Sequence, residues 1–341
     1  MKEHDHAGRP RATLEDVARE AGVSRATASR AIRGGDLVSS ANREAVQEAV
    51  ERLGYVPNPA ARSLVTRQTD TIAVVVPEHD DRIFSDPFIG RTIAGVGEAL
   101  ADTPQQVVLL MRSRSRGNEQ LAAYLRGGHV DGIVVVSHHR DDHLAREIAR
   151  SQLPTAFIGR PLEDGIDLPY VDLDNVAGGR LAAERLLASG MRHPATVTGP
   201  QDMVAAIDRL AGWGEALRAA GLDDSVRYEG DFTMLPAQEL GRRLFEEHPE
   251  VDGVFAANDL IAVGVMNAAR ERGLRVPGDV RIVGFDDTPL GMSTHPQLTS
   301  ITNPAGELAR IATQLVLDQL AGERPAWPVI LTPELVARES A

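Results

Sequence analysis

The 341-residue sequence has no cysteine, which excludes a disulfide framework and any zinc site built on thiolates. It has no apolar run near the roughly 18 to 20 residues that cross a bilayer, so no membrane partner is expected. Residues 1–12, MKEHDHAGRPRA, lack the apolar core of a secretory signal, and this predicts a cytoplasmic protein. Nothing repeats at a fixed period. Three signatures of catalysis or nucleotide binding are also missing: G-x-x-x-x-G-K-[ST], G-x-S-x-G, and a G-x-G-x-x-G after the first strand-like run. The shorter GVGEAL at 95–100 does not replace them. These absences predict a protein that is no enzyme and carries no cofactor.

Positive charge is scarce overall but not at the start. The net charge is -13, yet residues 1–67 carry 11 Lys plus Arg against 9 Asp plus Glu, a net of +2, and the remainder carries 25 against 40, a net of -15. The acidity therefore belongs to the body and leaves the first segment free to meet a polyanion. A chain of this length at 43% hydrophobic implies two or three domains.

The stretch TLEDVAREAGVSRATASRAIR, residues 13–33, reads as two short helices around a Gly22 turn. Thr13 caps the first with Asp16 in the capping-box position, and Leu14, Val17, Ala18 and Ala21 form one buried stripe. Ser24 caps the second, which turns Ala28, Ala31 and Ile32 inward and Ala26, Ser29, Arg30 and Arg33 outward. A third helix starts near Ser39, buries Val46, Ala49, Val50 and Leu53, and stops at Gly54. Such a unit is either a plain bundle with solvated arginines or a helix-turn-helix. Small residues favour the second, because Ala26 and Ser29 permit close approach to base edges where a solvated face would carry Glu and Lys.

The runs TLEDVAREAGVSRATASRAI, VSSANREAVQEAVERLGYVPNPAARSL, DGIVVVS, AANDLIAVGV and VRIVGFDDTPL stand in the order seen in the lac repressor family, and the sequence resembles that family, with its lac and purine repressors, over nearly its whole length. The family's usual Val is replaced here by Ala28, which lightens the packing of the second helix and leaves its outer face unchanged.

The resemblance implies an all-α helix-turn-helix DNA-binding domain at 1–56, with 1–12 as a flexible arm, and a hinge helix or linker at 57–68. It implies DNA contacts from Thr13, Leu14, Ser24, Arg25, Ala26, Thr27, Ser29, Arg30, Arg33 and Ser39, and from Asn58, Ala61 and Leu64 of the hinge. On composition alone YVPNPAARSLVTRQ is a linker, although Asn58 can cap and Pro59 suits a first helical position. In the family this segment is a helix ordered on DNA, and Leu64 matches its minor-groove wedge.

From Thr71 the runs TIAVVV, VVLLM, GIVVV, TAFIG, ATVTG, GVFAA and RIVGF alternate with helical patterns, which implies parallel sheets covered on both faces. About 270 residues of this rhythm suggest two lobes with a ligand cleft at the strand carboxyl ends. The resemblance makes residues 69–341 an α/β, two-lobed, doubly wound, periplasmic-binding-protein-like domain for effector binding and dimerisation, with crossovers expected near 160, 288 and 324. It carries effector binding onto Arg209, Phe232, Asn258 and Asp286; Phe88 in SDPFIG and Arg160 in IGRP, each just beyond a strand of the first lobe where cleft loops should lie, are further candidates. Fixed polar groups beside one aromatic plate suit a sugar. Each residue has a plainer reading: Asn258 and Asp286 as helix caps, Phe232 as core, Arg209 as a surface cation, Phe88 as packing under a helix, and Arg160 as the partner of Glu163 and Asp164. The most metal-like cluster, HHRDDH at 138–143, reads as a solvated loop, since adjacent ligands in a loop rarely converge.

The function so implied is a sequence-specific DNA-binding transcriptional regulator, a repressor, whose operator affinity is controlled allosterically by a small-molecule effector, a sugar. The chain ends at ELVARESA with no apolar heptad tail, so a homodimer on double-stranded DNA with a roughly palindromic operator is expected. The alternative is a stand-alone sugar-binding or sugar-converting protein with a structural N-terminal bundle, which would bind ligand without coupling to DNA.

Overall fold

The computed structural model describes residues 12–32, 34, 38–56, 68–78, 80–111, 119–140, 143–163 and 165–341. They belong to two units divided between Thr69 and Asp70.

The first unit holds α1 (Leu14–Glu20), α2 (Arg25–Ile32) and α3 (Ser40–Leu53). Local chemistry sets where each begins. Thr13 Oγ1 accepts from the Asp16 N–H while Asp16 Oδ2 accepts from the Thr13 N–H, which closes a capping box. Ser24 Oγ accepts from the Thr27 N–H at 3.1 Å, and Ser39 Oγ accepts from the Asn42 N–H at 3.3 Å. Gly22 and Gly54, just past α1 and α3, take φ of +65° and +57°, where a side chain would be strained. Val17, Ala18, Ala28, Ala31, Val46 and Ala49 are buried between the helices, with Leu14, Ile32, Val50 and Leu53 half-buried around them.

In the second unit β1 (Thr71–Val76) is followed by α4 (Asp80–Ser85), α5 (Pro87–Ala99), β2 (Gln106–Met111), α6 (Glu119–Arg126), β3 (Gly132–Val135), α7 (Leu144–Ser151), β4 (Thr155–Ile158) and β5 (Tyr170–Leu173). Then come α8 (Asn175–Ala188), β6 (Pro194–Thr198), α9 (Val204–Ala219), β7 (Arg227–Glu229), α10 (Met234–Glu247), β8 (Gly253–Ala256), α11 (Asp259–Glu271) and β9 (Arg281–Asp286). The last elements are α12 (Pro289–Met292), β10 (Thr299–Thr302), α13 (Ala305–Leu320), β11 (Val329–Leu331) and β12 (Leu335–Val336). Two six-stranded sheets result, ordered β11-β5-β4-β3-β1-β2 and β12-β10-β9-β8-β6-β7. Among the described residues every strand pairing is parallel except β10 with β12. Each sheet carries a buried apolar cluster on either face, as a sheet covered by helices on both sides requires. In both lobes the strand order reverses beside the first strand, so the carboxyl ends open onto a crevice.

The crossovers expected near 160, 288 and 324 lie elsewhere. The chain leaves the first lobe at Asp174, between β5 and α8, because YVDL at 170–173 is a further strand of the first sheet. It returns at 303–304, since β10 still pairs with β9 and α13 packs on β3, β4 and β5. It crosses a third time at 332–334, between β11 and β12. The displaced crossings follow from strands of two to four residues, too short or too polar for an apolar run to mark.

Helices α8 and α9 approach so closely that glycine is required at the contact. A Cβ on Gly179 would lie 2.0 Å from the Arg209 carbonyl oxygen, and one on Gly212 would lie 1.9 Å from that of Val176. Among the described residues no helix is long and apolar enough to cross a membrane.

Candidate functional site

Two regions concentrate the residues singled out in the sequence. On the first unit, Ala26 and Arg30 are exposed along α2 and Ser29 is half-buried. Arg25 at the helix start pairs through Nε with Glu15 Oε1 at 2.9 Å, both side chains largely exposed. An exposed pair is weak and exchangeable, so Arg25 can leave Glu15 for a stronger anion. Thr27 Oγ1 lies 2.8 Å from Ser24 Oγ, which ties both hydroxyls to the turn. Thr13, Ser24 and Ser39 sit at the three helix starts, and Leu14 is half-buried in the first turn of α1. Arg33, Asn58, Ala61 and Leu64 lie outside the described residues.

On the second unit, a cleft between the lobes encloses about 630 Å³ including its mouth. Strand ends build it: His138 follows β3, Gly159 follows β4, Asn175 follows β5, Phe232 follows β7, Asn258 follows β8, Asp286 ends β9 and Asn303 follows β10. Phe88, Arg209, Phe232, Asn258 and Asp286, five of the six candidates, line it together.

Arg209 is a fixed cation rather than a surface one, only 4% exposed. Its Nε donates to Asn175 Oδ1 at 2.9 Å, Nη1 donates to the Ala257 carbonyl at 2.6 Å, and Nη2 stands 3.5 Å from Asp286 Oδ1. The guanidinium carbon lies 3.6 Å from the Phe285 ring centroid. Asp286 also accepts from Asn303 Nδ2 at 2.9 Å, and Asn303 Oδ1 is buried without a hydrogen-bond partner. Across the cleft Arg82 Nε is likewise buried and unpartnered. Two orphaned buried groups, an acceptor and a donor, in the lining of one cleft mark where a polar ligand would complete the hydrogen bonding.

Phe232 is the apolar plate. Its ring occupies the space a Cβ on Gly199 would need, at 2.1 Å, and Arg82 stands 5.0 Å from its centroid. Phe232, Asp286 and Ser137 have φ of +64°, +96° and +57°, and such strained backbone persists only where surrounding structure enforces it. Asn258 serves both readings: its Oδ1 caps α11 by accepting from the Ile261 N–H at 2.8 Å, while Nδ2 donates to the Phe232 carbonyl at 3.2 Å. Phe88 both lines the cleft and packs against the first lobe's core.

Arg160 is the exception. It does not line the cleft and does not join Glu163; it makes a bidentate pair with Asp208 of α9, at 2.5 and 3.0 Å, across the lobes. The sequence reading missed Arg82, Asp86, Asp172, Asn175 and Asn303. Asp86 caps α5, accepting from the Phe88 N–H at 2.9 Å; burial and the neighbouring Asp286 push its pKa up to about 6, against the pull of Arg82. Burial pushes Asp172 to about 6 as well, against hydrogen bonds from the Arg160 and Leu173 N–H groups. Asp-Pro before a helix was the available sign for Asp86. For Asn175 and Asn303, polar residues next to inconspicuous strands, there was none.

The HHRDDH loop is solvated only in part: Arg140 and His143 are exposed as expected, whereas His138 is buried and His139 half-buried. His138 is buried edge-on to Phe157 with Nε2 3.2 Å from the Gly159 carbonyl, and burial lowers its pKa to about 4. His139 lies between two carboxylates, Glu78 and Asp202. Asp141 and Asp142 are outside the described residues, and no group of metal-binding side chains occurs among those described.

Residues 13–58 match the model for bacterial regulatory proteins of the lacI family, and residues 183–341 match a periplasmic binding protein-like domain. The chain is 44% identical to the HTH-type transcriptional regulator CelR of Thermobifida fusca, over 97% of this chain and 99% of that protein. It is 31% identical to catabolite control protein A of Priestia megaterium, over 95% and 97%. A solved complex of the regulator CelR with cellobiose superposes with a TM-score of 0.76 at 43% identity, covering 98% of this chain and all of that one. The lac repressor dimer bound to operator and the anti-inducer ONPF superposes at 0.87 with 28% identity, covering 97% and 99%.

Proposed function

The chain belongs to the lacI family of bacterial regulatory proteins, and on that premise we propose that it is a sugar-responsive repressor whose effector is a neutral disaccharide of the cellobiose type. It is a DNA-binding transcriptional regulator. Residues 1–56 form its DNA-reading part, 57–68 the hinge and 69–341 the effector and dimerisation body. The reading assigns it no reaction and places it with DNA in the cytoplasm.

One observation carries the choice of effector: Arg209 is ion-paired to Asp286 and Asn303 is hydrogen-bonded to it, in the cleft that Phe232 also lines, with an acceptor of Asn303 still unsatisfied. Hydroxyl groups satisfy such a set, and the pyranose face covers the ring. Asp86, Asp172 and Asp286 outnumber Arg82 and Arg209 in the cleft, which disfavours a phosphorylated ligand. Sugar binding between the lobes then alters how the paired hinges present the recognition helices, in two global states.

Calorimetric titration with cellobiose tests the effector, and operator duplexes selected from a randomised pool test the coupling. Saturable heat that Arg209→Ala or Asp286→Ala removes is expected, with operator affinity in the parent changed by the sugar. As an inducer, cellobiose releases the operator and both variants stay bound; as a corepressor, it recruits the operator and both variants fail to bind. Unchanged cellobiose affinity in both variants removes these residues from the site.

A further inference from the structure

His139 stands in the loop after β3 of the first lobe, 17% exposed. Its Nε2 is 3.0 Å from Glu78 Oε1, and its Nδ1 is 2.9 Å from Asp202 Oδ2. Glu78 follows β1 in the first lobe, whereas Asp202 follows β6 in the second. The next residue adds a backbone bridge in the same direction, the Arg140 N–H donating to the Asp202 carbonyl at 2.9 Å. A carboxylate only accepts, so a ring held by one at each nitrogen must donate from both, and only the imidazolium does so. None of the three side chains lines the effector cavity.

We propose that His139, as the imidazolium between Glu78 and Asp202, is an electrostatic latch that holds the two lobes together and sets effector affinity from outside the cavity, in a pH-dependent way. The inference rests on reading the cleft as an effector site. The latch favours the closed arrangement, and a sugar gripped from both lobes binds that arrangement; by linkage, whatever stabilises closure tightens sugar binding.

The charges around the ring set the sign. Glu78 is buried and also accepts from Ser137 Oγ at 2.7 Å and from Arg82 Nη1. Burial raises its pKa, but the hydrogen bond from His139, then Arg82 and Ser137, bring it below the ordinary value, so it is anionic. His138, on the same loop, is neutral across the physiological range. For His139 burial acts to lower the pKa, and the bonds and charges of Glu78 and Asp202 overcome it, leaving it above the ordinary 6.5. The latch therefore contributes fully below 6.5 and is lost as pH rises through the raised value. With one proton involved, the closed-to-open ratio falls by at most about tenfold per pH unit.

The test needs no sugar. The chain has no cysteine, so Ala123→Cys in the first lobe and Glu246→Cys in the second, both at exposed positions, give two unique sites for a donor and an acceptor dye. Energy transfer is read on ligand-free protein diluted into unlabelled protein, from about pH 6 to about pH 9. In the parent, transfer should fall as pH rises; His139→Phe should show the low-transfer state throughout; His139→Arg, a permanent cation with donors for both carboxylates, should show the high-transfer state throughout. A parent profile that is flat, or that His139→Arg reproduces, overturns the latch. If His139→Phe does not fold, Asp202→Asn takes its place, keeping the size of the side chain and losing the charge.

Cellobiose calorimetry is the separate arm. At low pH the parent should bind about tenfold more tightly than His139→Phe, the loss expected for a hydrogen-bonded charge. Asp86 and Asp172 titrate in the same range, and His139→Arg leaves their contribution in place, so the difference between the parent and His139→Arg profiles belongs to His139. No cellobiose heat from any form refutes the disaccharide reading while the dye distances still decide the latch.

Discussion

At the scale of single residues, the cleft holds carboxylates where an isolated fold would avoid them. Asp86 is 7% exposed with a pKa pushed up to about 6 by burial and by Asp286, so its charged form is disfavoured in the folded protein. A raised acid is a stabilising contribution below its unfolded value, near 3.8, and that contribution is lost as pH climbs through about 6. Asn in its place keeps the oxygen that caps α5 and removes the buried charge. Asp86→Asn is therefore expected to match the parent near pH 4 and to be more stable at pH 8 by up to about 3 kcal/mol, read from urea midpoints at the two pH values. Equal midpoints at pH 8 would show that Asp86 carries no burial cost. The same variant should bind sugar more weakly, because stability given up at a site is commonly tied to its function.

At the scale of elements, the contact of α8 with α9 positions the cleft's main cation. Gly212 lies three residues beyond Arg209 on α9, and its missing side chain lets the helix rest on the Val176 carbonyl. Gly212→Ala should force the helices apart at a cost of about 3 kcal/mol and draw Arg209 away from Asn175, weakening sugar binding along with thermal stability. A variant as stable as the parent by near-ultraviolet dichroism would mean that the helices yield without loss. The hinge proposed at 57–68 carries a distinct expectation. As a minor-groove wedge, Leu64 supports a bend that costs a few kcal/mol and is offset by closer docking of the recognition helices. Leu64→Ala should weaken operator binding far more than non-specific binding and leave sugar affinity without DNA unchanged. Equal bending of circularly permuted operator fragments by parent and variant would make the segment a tether.

At the scale of the whole molecule, the expected arrangement is a homodimer on a two-fold operator. Light scattering at micromolar concentration should give the dimer mass, and a stable tetramer would count against it. Reciprocity supplies a sharper check. If the sugar changes operator affinity by some factor, operator must change sugar affinity by the same factor, so the two titrations, each run with and without the other ligand, have to agree. Disagreement would mean that the two sites do not share one pair of states.

Some of this was legible in the residues alone, where information is local. Capping hydroxyls at Thr13, Ser24 and Ser39, the glycines at 22 and 54, and helical apolar spacing specify the first three helices, because each signal acts within one turn of chain. Seven short β-branched runs announced the sheets, and the resemblance pointed to Arg209, Phe232, Asn258 and Asp286, which the fold gathers into one cleft. The tertiary structure alone decided what depends on non-local pairing. YVDL becomes a strand because β4 and β11 flank it, despite Asp172 in its middle, and that moves the first crossover to Asp174. Arg160 and Asp208, 48 residues apart, meet only because the lobes close on each other. His139 meets carboxylates 61 and 63 residues away, and the start of a loop that reads as polar and solvated is covered for that reason: burial is a property of what folds over a residue, which local composition does not contain.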